Sequence, residues 1–327
     1  MIEQTDAEQF TEETGKDGRT LTHLWDWIDI VPNLFITIFL FLLLSFAALF
    51  LSGGGVDLDT GAAIEGNPFL LLVYSLLATM LAMVIPYFGI NALRHRYSLS
   101  QLGFGSVSRG WILLAIVLGV AGTLVRFGIG AGLLWLFPSL EAGAEQLAEM
   151  FNFDEAWKMT IVGLMASLVV PVYEEIFFRG FLQNSLRRRI SMWIVTIVCC
   201  ALFGAIIART ASDLSLEAID ADNVMALFSE LSIGLLLGAA GGALICGTIQ
   251  FSLKDRSAMW LAILASSAIF GLFHGFPIQI ITAFLFGLIV GWLYEKSDNL
   301  WPSIICHITN NGLVMVLSLI AFFLGFE

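Results

Sequence analysis

Charge is what this sequence has least of. Asp, Glu, Lys and Arg make up 13% of its 327 residues, about half the share found in soluble domains, and only 15 of these are basic against 27 acidic. A net charge of −12 with so few cations excludes the basic surface that nucleic acid requires, so no nucleic-acid partner is expected. Cysteine is scarce too. Cys199, Cys200, Cys246 and Cys306 all fall in apolar runs without paired metal-ligand spacing, which excludes a disulfide framework or zinc knuckle and leaves buried reduced thiols. The triplet Gly53-Gly54-Gly55 lacks the Lys and Ser/Thr that complete a phosphate loop. The start lacks the basic-then-apolar pattern of a cleavable signal peptide. Residues 1–30 instead carry Glu3, Asp6, Glu8, Glu12, Glu13 and Asp17 against Lys16 and Arg19, and are expected to form a solvated acidic tail. Trp25, Trp27 and Ile28 would close that tail as an anchor at the membrane interface.

What the sequence has instead is apolar length. At 58% hydrophobic it is a polytopic membrane protein. Runs near 31–51, 68–90, 110–137, 158–184, 191–208, 226–250, 258–276, 278–294 and 301–325 approach the length needed to cross a bilayer, so an all-α bundle of eight to nine transmembrane helices is expected. The weakest run, 191–208, is short and ends at Arg209. Cations collect in alternate loops: Arg94, Arg96 and Arg109; Arg187, Arg188 and Arg189; Lys254 and Arg256; Lys296. The intervening loops hold Asp57, Asp59 and Glu65, then Glu141, Glu145, Glu149, Asp154 and Glu155, then Asp213, Glu217, Asp220 and Asp222. Because Lys and Arg accumulate on the cytoplasmic side, the N-terminus is expected inside and the C-terminus outside, in a cell (inner) membrane.

Within these runs sit groups that hydrocarbon penalises. Glu174, Glu175 and Arg179 lie in the fourth run, His274 and His307 in the seventh and ninth. A charged side chain at the bilayer centre costs roughly 2.5–3.5 kcal/mol on insertion scales, so such groups mark function by default. On a helix Glu175 and Arg179 share a face as an i, i+4 ion pair, whereas Glu174 is turned about 100° away. Glu174 has no cation at i±3 or i±4, which suits it to proton transfer. Pro171, just upstream, would bend the helix beside it. His307 and Asn311 share a helical face, as do Phe270 and His274. Arg126 is read as snorkelling or pairing within the bundle, and Gly287-x-x-x-Gly291 as close helix packing.

The series Glu174-Glu175-x-x-x-Arg179, Phe270-x-x-x-His274 and His307-x-x-x-Asn311 resembles the three signature motifs of the CPBP family (CAAX protease and bacteriocin-processing, also called Abi or type II CAAX prenyl endopeptidases). The approach to the third motif, Phe286-Gly-Leu-Ile-Val-Gly-Trp-Leu-Tyr294 followed by Leu300-Trp-Pro-Ser-Ile304, is similar to the family's as well. The resemblance covers about residues 155–315. It implies a membrane-embedded endopeptidase that cleaves a membrane-associated protein or peptide, with Glu174 and His274 activating water and His307 and Asn311 polarising the scissile carbonyl. Glu175, Arg179 and Phe270 would support them. It requires no cofactor; a zinc version would take Glu174, His274 and His307 as ligands, with Glu175 then needed as the base. Its partners are the lipid bilayer and a peptide or protein substrate.

About a hundred residues separate the first two motifs, where the family has a short loop and part of one helix, so two extra helices are expected near 191–250. The domains are then an acidic tail 1–30, N-terminal transmembrane helices 31–154, and a CPBP-like core 155–327 carrying that insertion. The stretch Ala201–Ile207 echoes Ala268–His274 with Ile207 in the histidine's place. Counting along straight helices puts Glu174 and His274 about 20 Å from the cytoplasmic boundary and His307 about 8 Å, so convergence demands tilt, breaks or a cavity. Gly275, Pro277 and Pro302 stand where breaks would fall. Two other classes remain open on sequence: a non-proteolytic binding or immunity protein that keeps the polar core for packing, and a transporter using Glu174 and the histidines as a proton relay.

Overall fold

A computed structural model of the chain describes residues 25, 27–56, 63–151, 153, 155–186, 191–211, 221–253 and 256–324. Among these, helices α1 (Trp27–Leu51) and α2 (Pro68–Ile90) form a hairpin joined through a two-residue strand pair, Gly55–Val56 with Ala63–Ile64. There follow α3 (Arg109–Leu136), a short α4 (Glu141–Phe151) and α5 (Ala156–Leu186). Next come α6 (Ser191–Ala211), α7 (Ala221–Leu253), α8 (Ser257–Leu272), α9 (Pro277–Ser297) and α10 (Leu300–Leu324). Among the described residues seven helices are long and apolar enough to cross a membrane, and two shorter apolar ones lie in α6 and α8. The chain is an all-α, multi-pass membrane protein.

Local chemistry sets the boundaries. Pro68 opens α2 where a missing N–H costs nothing, and the Asn67 side chain caps it by accepting from the Leu70 N–H at 3.1 Å. α1 stops before Gly53, which turns the chain at φ +86°. The run expected to span 258–276 ends early. α8 is only 16 residues, about 24 Å, because Gly275 at φ +78° turns the chain and Pro277 starts α9. The run near 226–250 is in turn extended at both ends into the 33 residues of α7.

α5 and α9 are the most enclosed membrane helices and α1 the least. α5 packs among α2, α8 and α10, and α3 covers α9 and α10. The core they share is aromatic: Phe177, Phe178, Phe181, Phe270 and Phe286 are fully buried. α6 and α7 lie against each other and against α8. Their seam is closed by glycine, since a Cβ on Gly204 or Gly238 would collide with the facing backbone carbonyl. All four cysteines are free, as expected.

The expected interfacial anchor differs in part. Trp25 is buried inside the bundle, packed on Tyr87 and Phe181, with Nε1 donating to the Gly180 carbonyl of α5 at 3.1 Å. An indole N–H in an apolar interior needs an acceptor, and Gly180 provides it. Asp29 on the next turn is likewise buried, paired with Arg94 and with His95. The rest of the acidic tail, Asp57, Asp59, Asp154, Arg187, Arg188, Arg189, Asp213, Glu217, Asp220 and Lys254 lie outside the described residues, as do the side chains of Trp27, Ile28, Arg209 and Asp222.

Candidate active site

The site is built on an irregular helix. α5 runs as α-helix over Ala156–Leu164, widens to π-helix over Met165–Val169, returns to α-helix over Val170–Glu175, and widens again over Ile176–Gln183. Such widened turns put one more residue into a turn and often mark functional positions. Proline explains the first. The Val170 N–H reaches back five residues to the Met165 carbonyl, and the next residue, Pro171, has no N–H to offer Ala166. Asn311 of α10 fills that gap, donating Nδ2 to the Ala166 carbonyl at 3.0 Å. Asn311 is thereby oriented, and its second N–H remains a donor.

Below Pro171 stand the two glutamates. Glu175 is fully buried, 3.2 Å from Arg179 Nε in the expected i, i+4 pair, though not aligned as a hydrogen bond. Arg179 is also fully buried. Its Nη2 donates to the Gly287 carbonyl at 3.0 Å and its guanidinium lies 4.7 Å over the Phe270 ring. One turn on, Gln183 continues the same stripe, donating to the Gly291 carbonyl at 3.0 Å and to Glu295 at 3.1 Å. The glycine pair in α9 therefore does two things: it admits close packing, and it presents the carbonyls that hold α5.

His307 links both glutamates. Its Nδ1 is 2.8 Å from Glu175 Oε1, and its Nε2 is 3.7 Å from Glu174 Oε2. A carboxylate only accepts, so Glu175 assigns the N–H to Nδ1 and makes Nε2 the nitrogen that faces Glu174. Straight helices would set Glu174 and His307 at different depths, yet the two side chains meet. Glu174 itself keeps 14% of its side-chain surface open, in contrast to Glu175 at none.

His274 sits on the turn between α8 and α9, past the end of the helix expected to carry it. The early stop at Gly275 is what places it there. Its Nδ1 lies 2.9 Å from the Phe270 carbonyl, an acceptor, so Nδ1 carries the proton and Nε2 of the neutral ring is a lone pair. Phe270 is the shared support: its ring contacts His274, His307 and Phe178 at centroid distances of 4.8, 5.8 and 5.0 Å, besides Arg179. The structure thus gathers Glu174, Glu175, Arg179, His307 and Phe270 directly, brings His274 in through Phe270, and sets Asn311 one turn from His307.

Among the described residues no three His, Cys, Asp or Glu side chains stand close enough to hold a metal as they are placed, although the Nε2 atoms of both histidines are open.

The same segment matches a protein family. The model described as Rce1-like type II CAAX prenyl endopeptidase aligns with residues 156–249 and 223–313, from the start of α5 into α10. This segment is similar to the Rce1-like type II CAAX prenyl endopeptidase family. Neither a curated protein nor a solved structure matches the chain. The Rce1-like region holds all three motifs, and its two matched pieces overlap in α7, within the stretch expected to be inserted.

Sequence reasoning missed two residues, one of them outside the Rce1-like region. Arg126 of α3 donates Nη1 to Asn310 Oδ1 at 2.6 Å and lies 5.7 Å over Phe286, whose ring is 5.1 Å from that of His307. Asn310 is buried and held in turn by Thr123 at 2.9 Å and the Gly119 carbonyl at 3.4 Å. Pairing within the bundle was the expectation for Arg126; nearness to the site was not. The signal was present, since Arg126 is an intramembrane cation with no acidic neighbour on its own helix.

Proposed function

We propose that this protein is a membrane-embedded endopeptidase that hydrolyses a peptide bond of a membrane-associated protein or peptide by means of Glu174, His274, His307 and Asn311. The observation that carries the reading is His307 held by Glu175 on one nitrogen while its other nitrogen faces the partly open Glu174. A polar chain buried merely for packing would bond both ends. This one ends on a carboxylate that a water molecule can reach.

In this reading Glu174 takes a proton from water while the Nε2 lone pair of His274 accepts the water's second hydrogen bond. The attacked carbonyl oxygen is received by Nε2 of His307, a donor when the ring is charged and paired with Glu175, and by the second N–H of Asn311. Fixed donors in a water-poor cavity act far more strongly than in bulk. Glu175 and Arg179 hold His307 in orientation and Phe270 sets the spacing. Zinc held by Glu174, His274 and His307 is the alternative; it would require the side chains to regroup.

The same proposal sets the chain in the cell membrane with its N-terminus in the cytoplasm. Arg94 and Arg96 after α2, Arg109 opening α3, Arg256 before α8 and Lys296 ending α9 would share the cytoplasmic side. The paired helices α6 and α7 would be an insertion in the catalytic core.

The test is cleavage of a peptide library by detergent-purified wild type and Glu174→Ala, with and without a chelator. Cleavage that is lost in the mutant and survives chelation supports the glutamate–histidine mechanism. Chelator sensitivity reversed by zinc supports the metal version, and cleavage retained by Glu174→Ala refutes both.

A further inference from the structure

The two arginines near the glutamates are unequal. Arg179 is fully buried and committed to Glu175, the Gly287 carbonyl and the face of Phe270. Arg126 is only partly buried, reaches in from α3 outside the family-matched segment, and is aimed by Asn310 and Phe286. Its charge acts on Glu174, His274 and His307 together. Other charged or titratable groups around Glu174 are Tyr173, Glu175 and Arg179 on its own helix and His307 from α10. With Arg179 held by Glu175, Arg126 is the arginine near Glu174 that has no acidic partner on its own helix.

We propose that Arg126 is the anion-holding residue of the site, its guanidinium balancing Glu174 before the reaction and the oxyanion of the tetrahedral intermediate during it. The proposal rests on the endopeptidase reading. When water attacks, its oxygen bonds to the carbonyl carbon, the carbonyl π pair moves to oxygen, and the released proton goes to Glu174. Total charge is unchanged, but the negative charge has moved from Glu174 to the substrate. On collapse the oxygen pair reforms the carbonyl, the C–N bond breaks, and the amine leaves with the proton from Glu174. One cation fixed by Asn310 and Phe286 at the edge of the site would serve both states without reorganising, which is the condition for strong electrostatic catalysis. Asn310, anchored by Thr123 and Gly119, acts as a positioning residue through Arg126.

The experiment compares binding of two labelled peptide analogues to the full-length chain in detergent. One has the scissile amide replaced by an anionic phosphinate, the other by a neutral hydroxyethylene. Wild type is expected to prefer the phosphinate, and Arg126→Gln to lower that preference at least about tenfold and kcat about a hundredfold with KM little changed. Arg126→Lys should recover part of both, which a packing role would not predict. Should Arg126→Gln fail to fold, Asn310→Ala is expected to weaken the preference severalfold. Absence of any phosphinate preference in wild type, or a preference that these substitutions leave intact, overturns the proposal. Glu174→Gln separates the two readings: it should abolish cleavage and keep the anion preference. A Glu174→Gln protein that still cleaves, alongside an Arg126-dependent preference, would remove the protease mechanism and leave the anion site.

Discussion

Glu174 and Glu175 are adjacent in sequence and live in different surroundings. Glu175, with Arg179 and Gln183, forms a sealed half: every member is fully buried, and the partners are an ion pair, two glycine carbonyls of α9 and the Nδ1 of His307. Glu174, with His274, Asn311 and Arg126, forms an open half whose members are all partly exposed. Buried ion pairs seldom add net stability, because desolvation offsets their attraction, but breaking one leaves an uncompensated charge. A sealed pair is therefore a costly way to pack a helix and an effective way to hold a histidine in one orientation. The open half carries the groups that can meet water.

The contrast can be broken from either side. Glu174→Gln should give the largest effect, a fall in kcat of about 10³-fold or more, with a melting temperature close to that of wild type; peptide turnover and thermal unfolding measured on one preparation check this. Arg179→Gln should instead remove about 3–5 kcal/mol of stability, seen as a lowered melting temperature and poor accumulation, with activity lost as a consequence. Asn311→Ala strips the Ala166 carbonyl of its donor and should cost about 1–3 kcal/mol, together with a drop in kcat larger than that in stability alone predicts. Gly275→Ala should be the mildest. Nothing lies within 4 Å of the added methyl, so only the φ of +78° opposes it, at about 1–2 kcal/mol, and the turn bearing His274 should loosen enough to slow cleavage severalfold.

Much of this was legible in the residues. Runs of apolar length located the membrane helices, and i, i+4 spacing found the Glu175–Arg179 pair and the His307–Asn311 face. What escaped has a common cause: it depends on contacts between helices distant in sequence. Glu174 looked unpaired because the group that faces it, Nε2 of His307 at 3.7 Å, comes from α10. Trp25 looked like an interfacial anchor because its acceptor, the Gly180 carbonyl, lies in the middle of α5. Pro171 announced a break, but the donor that meets the freed Ala166 carbonyl is the Asn311 side chain of α10. His274 was identified while its place on a turn was not, although Gly275 and Pro277 were the cause of that turn.

The most direct test sets Glu174→Gln beside Glu175→Gln, with turnover and thermal unfolding measured on each. Division of labour predicts that the first loses turnover and keeps its melting temperature, and that the second melts well below wild type. Turnover retained by Glu174→Gln, or a melting temperature that falls for Glu174→Gln and holds for Glu175→Gln, would contradict it.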